Sequence, residues 1–230
     1  METTAYQPLV LVETSELPRE EWLAYRRRGI GGSDAAAVLG ISPFMTGRDL
    51  YYDKLGISAA ADDENWVAKE IGHRLEPLVA EIFSKRTGLK VFQKKFMFQH
   101  PQYPWMLADL DYLVELPDGS IAILECKTST SNSSENWWYA GKEIVPAYYE
   151  SQGRHYMAVM NYGKTFFCCL FTDTREAIIR SIDRDMAYEE ELIALRQAQL
   201  LPALTQALPH LGQKIFHGTT PMDNSLSIVA

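Results

Sequence analysis

The chain has 230 residues, of which 47% are apolar and 23% charged, and its formal net charge is −8. These proportions exclude a largely disordered chain and allow one sizeable globular domain. No apolar run reaches the roughly 18 residues of a membrane span, and the start of the chain lacks the basic and apolar regions of a secretory signal. The three cysteines have no disulfide spacing and favour a reducing cytoplasm. The acidic charge argues against nucleic-acid binding unless basic residues gather on one face.

Apolar periodicity and turn residues divide the chain into alternating elements. Helices are predicted at 18–28, 33–39, 66–86, 147–160 and 185–206. Strands are predicted at 90–99, 106–116, 120–128, 164–172 and 177–182. Ser15 and Ser33 are predicted to cap the first two helices, and Gly40 and Gly88 to follow helix ends.

Two segments carry no clear period: an acidic stretch at 57–64, predicted to be a loop, and the tail after Pro209. The elements together predict an α/β or α+β fold, with a central sheet and flanking helices. We expect a single domain over residues 1–230, with a core at about 15–185 and a C-terminal helix and tail at 185–230.

A tight turn joins the second and third predicted strands. Pro, Asp and Gly at 117–119 are strong turn residues, and Gly can supply a positive φ. If Leu116 faces Ser120 across this turn, Asp111 lies directly opposite Glu125, with Cβ atoms roughly 4.5–5.5 Å apart. A shift of one residue in register would break this match.

The same register places Asp109 opposite Lys127, while strand alternation puts Glu125 and Lys127 on one face. Opposed carboxylates repel each other, and a divalent cation would relieve the repulsion. Mg²⁺ or Mn²⁺ suits oxygen ligands better than zinc does. The alternative is a surface hairpin with a Lys127–Asp109 ion pair and solvated carboxylates.

Asp111 and the later Glu125-Cys126-Lys127 form the pattern Asp…Glu-x-Lys, which resembles the PD-(D/E)XK nuclease superfamily. The arrangement is most similar to the YqaJ-type viral recombinases, the family of phage lambda exonuclease. Four further segments carry the resemblance, which runs from about Trp22 to Leu170. They are RRRGIGGSD at 26–34, GHRLEP at 72–77, ADLD at 108–111 and QGRHY at 152–156. The resemblance implies a restriction-endonuclease-like fold with a central mixed sheet.

The resemblance also implies a role for each matching residue. The implied metal ligands are Asp111, Glu125, Glu76 and the main-chain carbonyl of Cys126. Lys127 would orient water and stabilise negative charge, and Gln152 would complete the catalytic set. Arg26, Ser33 and Tyr156 would bind DNA, the first two at a 5′-terminal phosphate.

Simpler roles remain open for several of these residues. Glu76 could be a solvent-facing helix residue, and Gln152 and Tyr156 polar positions on an amphipathic helix. Ser33 could be an ordinary helix cap, and Asp109 is a second candidate for the metal-binding aspartate. The aromatic residues at 137–138 and 148–149 could stack on bases, although core packing is the more common use.

The function implied by the resemblance is that of a Mg²⁺-dependent exonuclease, with Mn²⁺ as a possible substitute. Such an enzyme degrades linear double-stranded DNA from 5′ to 3′, releases 5′-mononucleotides, and leaves 3′ tails for phage-type recombination. We expect a homotrimeric ring and a single-strand annealing protein as partner, in the cytoplasm of a bacterial host. A structure-specific or restriction-type endonuclease is the alternative.

Overall fold

The computed structural model describes residues 6–57 and 66–207. The helices are α1 Arg19–Arg26, α2 Ala35–Val38, α3 Gly47–Lys54, α4 Trp66–Thr87, α5 Ala147–Met160 and α6 Met186–Ala207, with 3-10 turns at Gly32–Asp34 and Ser131–Trp137. The strands are β1 Leu9–Glu13, β2 Lys90–Phe92, β3 Phe96–Gln99, β4 Leu107–Asp109, β5 Tyr112–Glu115, β6 Ile121–Ser129, β7 Trp138–Tyr139, β8 Lys142–Glu143, β9 Lys164–Phe171 and β10 Glu176–Asp183. Within these residues, no helix is both long enough and apolar enough to span a membrane.

A central sheet of five strands has the order β10-β9-β6-β5-β2. Strands β6 and β9 run parallel, and every other neighbouring pair is antiparallel. This mixed sheet with flanking helices confirms the predicted α/β class. Strands β1, β3 and β4 form a second, smaller sheet, and β7 pairs with β8.

Strand β6 separates two apolar layers, because its successive side chains point to opposite faces of the sheet. Ile123 packs in the cluster that includes Met157 of α5. Leu124 packs in the other cluster, with Val79 and Phe83 of α4. Helices α5 and α4 therefore cover opposite faces of the central sheet, and the residues that follow Leu124 continue the same alternation.

Two predicted strands are each divided in the structure. The segment 106–116 breaks at Leu110 and Asp111, so β4 pairs with β3 while β5 pairs with β6. The segment 90–99 likewise divides into β2 and β3, which belong to different sheets. The predicted pairing of Asp109 with Lys127 is therefore wrong, because Asp109 lies opposite Met97 in the smaller sheet.

The helices follow their predicted positions closely. Helix α4 continues through Pro77 without a new start, and α5 matches its predicted bounds. Gly40 and Gly88 have φ values of +69° and +72°, as expected for residues that follow helix ends. Ser15 does not cap α1, because Pro18 occupies the cap position and the Ser15 hydroxyl donates to Glu13.

Several elements were absent from the sequence prediction: helix α3, strands β1, β7 and β8, and the 3-10 turn Ser131–Trp137. Helix α3 begins after Thr46, whose side chain accepts from the main-chain N of Asp49, while the Asp49 carboxylate accepts from the main-chain N of Thr46. Strand β1 is a five-residue edge strand, and among the described strands it pairs only with β3. Apart from Ile57, the predicted loop at 57–64 lies outside the described residues, as does the tail after Pro209.

Candidate active site

A cleft of about 880 Å³ opens between the smaller sheet and helices α1, α4 and α5. Six of the predicted site residues line it: Arg26, Ser33, Glu76, Asp111, Gln152 and Tyr156. The cleft also has a basic rim, formed by Arg19, Lys69, Lys94 and Lys95. The structure therefore brings residues from five separate parts of the chain to one concave surface.

Asp111 lies at the open end of the central hairpin. The ladder between β5 and β6 begins at the pair Tyr112–Leu124, and the next pair in this register is Asp111 with Glu125. Instead of continuing the ladder, the Asp111 carboxylate accepts a hydrogen bond of 2.9 Å from the main-chain N of Cys126. The turn has the predicted form, with Leu116 N bonded to Ser120 O.

Glu125 is a fully buried carboxylate at the centre of this arrangement. Its Oε2 accepts hydrogen bonds from Lys127 Nζ at 2.9 Å and from Gln152 Nε2 at 2.7 Å. Its Oε1 is buried and has no hydrogen-bond partner. Burial, and then the charge of Asp111, raise the pKa of Glu125 to about 8. This oxygen is the orphaned acceptor that a cation would satisfy.

Lys127 is held by three neighbours on the same face of the sheet. Its Nζ donates to Glu125 and, at 3.0 Å, to Gln152 Oε1, and it lies 5.0 Å from the centre of the Tyr149 ring. Burial acts to lower the pKa of Lys127, but the charges of Glu125 and Asp111 outweigh it and raise the pKa above its usual range. The ammonium is thus a cation fixed beside Glu125.

Glu76 projects from α4 into the cleft, with its side chain 23% exposed. Burial and the charge of Asp111 raise the pKa of Glu76 to about 7. His73 Nδ1 lies 3.9 Å from the Glu76 carboxylate. Glu76 therefore forms an acidic cluster with Asp111 and Glu125, rather than lying on a fully solvated helix face.

The oxygen donors at this point fit a hard divalent cation. The charge of Asp111 raises the pKa values of both Glu76 and Glu125, and the charge of Glu76 also raises that of Glu125, which indicates uncompensated negative charge. Because the N–H of Cys126 points toward Asp111, its carbonyl points to the same side of β6. Among the described residues, no three Asp, Glu, His or Cys side chains close around a common point.

Asp109 also lines the cleft, but its carboxylate is engaged elsewhere. Its Oδ2 accepts a hydrogen bond of 2.7 Å from the indole of Trp22. The Trp22 ring lies beneath the guanidinium of Arg26, 4.9 Å from ring centre to Cζ. Of the two aspartates, Asp111 is the one that adjoins Glu125.

Arg26 and Ser33 meet at the cleft wall, since Arg26 Nη2 donates to Ser33 Oγ at 2.8 Å. Ser33 is not a helix cap, however, because it lies inside the 3-10 turn Gly32–Asp34. The helix that follows, α2, has four residues, and its cap position is Asp34. The structure does, however, place the side chains of Arg26 and Ser33 in direct contact.

Tyr156 joins this wall to the acidic cluster. Gln152 and Tyr156 lie one turn apart on α5, and Gln152 Nε2 is 3.5 Å from the Tyr156 hydroxyl. The Tyr156 ring packs against Gly32 so closely that a Cβ at Gly32 would lie 2.4 Å from it. A glycine is therefore required where the 3-10 turn crosses α5.

Trp22 and Lys54, two residues near the site, were not predicted from the sequence, and Tyr149 was predicted only as one of four aromatic residues that could stack on bases or pack in the core. Trp22 has no motif that distinguishes it from a core residue, and Lys54 lies on the unpredicted helix α3. Tyr149 belongs to the aromatic-rich stretch, in which Trp137 is buried in the core, as the simpler interpretation expected. The sequence signal for α3 is the capping box formed by Thr46 and Asp49 at its start, since the apolar period of this helix is weak.

Comparison with solved structures identifies the fold. An alkaline exonuclease from Laribacter hongkongensis has a TM-score of 0.66 and 21% sequence identity, over 85% of this chain and 97% of that chain. That exonuclease has also been solved in complex with dAMP. A phage-related exonuclease from Haemophilus somnus 129PT has a TM-score of 0.58 and 14% identity, over 80% of this chain and 96% of that one.

Sequence comparison identifies the family. The uncharacterized protein YqaJ of Bacillus subtilis (strain 168) is 36% identical over 184 residues, which cover 79% of this chain and 55% of that protein. The chain thus matches only about half the length of this relative. Residues 21–163 match the YqaJ-like viral recombinase domain. Since this match covers more than half of its residues, the chain belongs to the YqaJ-like viral recombinase family.

Proposed function

We propose that the chain is a Mg²⁺-dependent exonuclease that hydrolyses one strand of linear double-stranded DNA from 5′ to 3′. The observation that carries the proposal is the state of Glu125. This carboxylate is fully buried beside Asp111, has one oxygen without a partner, and has the other fixed by Lys127 and Gln152. A site that tolerates such electrostatic strain is a candidate for catalysis.

The proposed ligands are the carboxylates of Asp111, Glu125 and Glu76, with the carbonyl of Cys126. A bound Mg²⁺, or Mn²⁺ in its place, supplies Lewis acidity and a water of lowered pKa. Lys127 remains protonated and presents positive charge where a phosphate oxygen becomes more negative. Gln152 keeps the ammonium and the Glu125 carboxylate in one orientation, because its amide contacts both.

The cleft has the charge that a DNA strand requires, despite the net charge of −8 of the chain. Arg19, Arg26, Lys69, Lys94 and Lys95 all line it. Phosphate binding depends on the local placement of such cations. The acidic residues therefore act at the metal site, and the basic rim holds the backbone of the strand.

A DNA end is the proposed substrate, because Arg26 and Ser33 form a polar pair at the cleft wall that suits a 5′-terminal phosphate. Tyr156 would support the strand beside them. The dAMP complex of the Laribacter exonuclease supports release of 5′-mononucleotides as the product. The resulting 3′ tails would serve recombination by strand annealing.

The direct test uses duplex DNA labelled at either the 5′ or the 3′ end, in linear and circular forms, with Mg²⁺. We expect release of labelled mononucleotides from 5′ ends of linear DNA and no cleavage of covalently closed circles. Cleavage of circular DNA would instead support a structure-specific or restriction-type endonuclease. Initial release from the 3′-labelled end would contradict the proposed direction.

The terminal-phosphate site has its own test. Wild type should degrade 5′-phosphorylated duplex faster than 5′-hydroxyl duplex, and Arg26→Ala should remove that difference while still cutting slowly. An equal loss on both substrates would mean that Arg26 has another role.

The proposed assembly is a homotrimeric ring around DNA, built from single-domain subunits that span residues 1–230. We also propose a single-strand annealing protein as partner, and an origin in a phage or prophage with activity in the bacterial cytoplasm. These proposals rest on the family. Sedimentation at micromolar concentration should give a trimer, and the annealing protein encoded nearby should co-purify; a monomer or no co-purification would count against them.

A further inference from the structure

Two buried charged residues beside Arg26 take no part in the proposed chemistry. Asp34 is 3% exposed and Lys54, at the end of α3, is 4% exposed. Lys54 Nζ lies 2.6 Å from Asp34 Oδ2 and donates to the main-chain carbonyl of Arg26 at 3.1 Å. Such a pair is costly to bury and is seldom retained for stability alone.

Asp34 is shared between two cations. Its Oδ1 accepts from Arg26 Nη2 at 3.1 Å, and its Oδ2 accepts from Lys54 and, at 2.9 Å, from the main-chain N of Gly31. Burial acts to raise the pKa of Asp34, but Lys54 and Arg26 outweigh it and hold the pKa below its usual range. Burial lowers the pKa of Lys54, against the charge of Asp34.

The charge balance of this cluster is the important quantity. One carboxylate and two cations leave a net charge of about +1, and the exposed member of the cluster is Arg26. Its side chain is 30% exposed and lines the cleft, whereas the side chains of Asp34 and Lys54 are at most 4% exposed. The excess positive charge therefore faces the place where a DNA end would bind.

We propose that Lys54 and Asp34 are a positioning pair, in which Lys54 neutralises Asp34 so that the charge of Arg26 remains available to a terminal phosphate monoester. Asp34 fixes the guanidinium through Nη2, and the Trp22 ring lies beneath it. This inference rests on the proposed binding of a 5′-phosphate and adds two residues that act through Arg26.

The consequence of removing Lys54 alone follows from the same balance. Asp34 would retain Arg26 as its cation, the cluster would become neutral, and an incoming phosphate would compete with the Asp34 carboxylate for Arg26. Removing the carboxylate as well would restore the net charge of +1. Lys54→Met and Asp34→Asn should therefore compensate for each other in the preference for the phosphate end, a ratio that a loss of stability common to both DNA ends would not change.

The experiment measures binding in EDTA, so that no cleavage occurs, by fluorescence anisotropy of short duplexes with 5′-phosphate or 5′-hydroxyl ends. For wild type we expect a preference for the phosphate of about tenfold. Lys54→Met should reduce it to near onefold, while Lys54→Arg and the double variant Asp34→Asn/Lys54→Met should retain most of it. Lys85→Met, which removes an exposed lysine of α4, should leave it unchanged.

The outcomes separate this inference from the proposed nuclease. Retention of the preference in Lys54→Met, or its loss in the double variant, would overturn the inference. If Lys54→Met does not fold, the double variant decides alone, because its buried pair is replaced by neutral side chains. Equal binding of both ends by wild type would also overturn it, whereas cleavage of DNA with Mg²⁺ is measured separately and decides the proposed activity.

Discussion

Replacing Glu125 by glutamine should stabilise the metal-free protein while it removes the proposed activity. Glutamine has the shape of a protonated glutamate and keeps an acceptor for Lys127. Burial and the charge of Asp111 raise the pKa of Glu125 from 4.5 to about 8. The ionised side chain is therefore a source of instability that the substitution removes.

The size and sign of the effect follow from proton linkage. Between pH 4.5 and 8 the folded state holds the Glu125 proton and the unfolded state releases it, so stability falls as the pH rises. One pKa unit corresponds to about 1.4 kcal/mol, which makes the loss roughly 4 kcal/mol at pH 8 and about 1 kcal/mol at pH 5. We expect Glu125→Gln to exceed wild type by about 3–4 kcal/mol at pH 8 and by about 1 kcal/mol or less at pH 5.

Urea unfolding in EDTA, followed by far-UV circular dichroism at several pH values, measures this difference. Glu81→Gln is the matched control, because it makes the same chemical change at an exposed residue of α4. It should give no gain in stability that depends on pH. Adding Mg²⁺ at pH 8 should stabilise wild type more than Glu125→Gln. An equal difference at pH 5 and pH 8, or a variant less stable than wild type at pH 8, would refute the reasoning.

Three further predictions concern residues around the same carboxylate. Gly32→Ala places a Cβ against the buried Tyr156 ring and should lower the free energy of unfolding, measured in urea, by about 1–3 kcal/mol. A urea midpoint equal to that of wild type would contradict the close approach of Gly32 to this ring. Tyr149→Leu should lower kcat about tenfold by removing the ring beside Lys127, whereas Tyr149→Phe should keep the wild-type rate; equal effects would exclude a role for the ring face. Gln152→Leu should lower kcat at least about tenfold with DNA binding in EDTA unchanged, and a change in binding alone would assign Gln152 to the substrate instead.

Local patterns were sufficient to predict most elements and the hairpin that carries Asp111 and Glu125. The turn at 117–119 defines a hairpin register whose last pair is Tyr112 with Leu124, and Asp111, the residue before Tyr112, accepts a hydrogen bond from the main-chain N of Cys126. Helix α5 follows from its apolar period, so the shared face of Gln152 and Tyr156 could be predicted as well. These features depend on residues close together in sequence or on one short turn.

Features that depend on tertiary contacts could not be predicted. The break at Leu110 arises because β4 pairs with β3, a choice between two sheets that the uniform apolar pattern does not reveal. The hydrogen bond between Trp22 and Asp109 joins residues 87 positions apart. The buried partnership of Lys54 with Asp34 likewise required α3, whose apolar period is weak, to be placed beside α2.

The central claim is that Glu125 holds a metal ion required for DNA hydrolysis. The most direct measurement compares wild type and Glu125→Gln on 5′-labelled linear duplex, with Mg²⁺ and with excess EDTA, after circular dichroism has verified that both are folded. We expect nucleotide release only by wild type with Mg²⁺. Full activity of Glu125→Gln, or of wild type in EDTA, would contradict it.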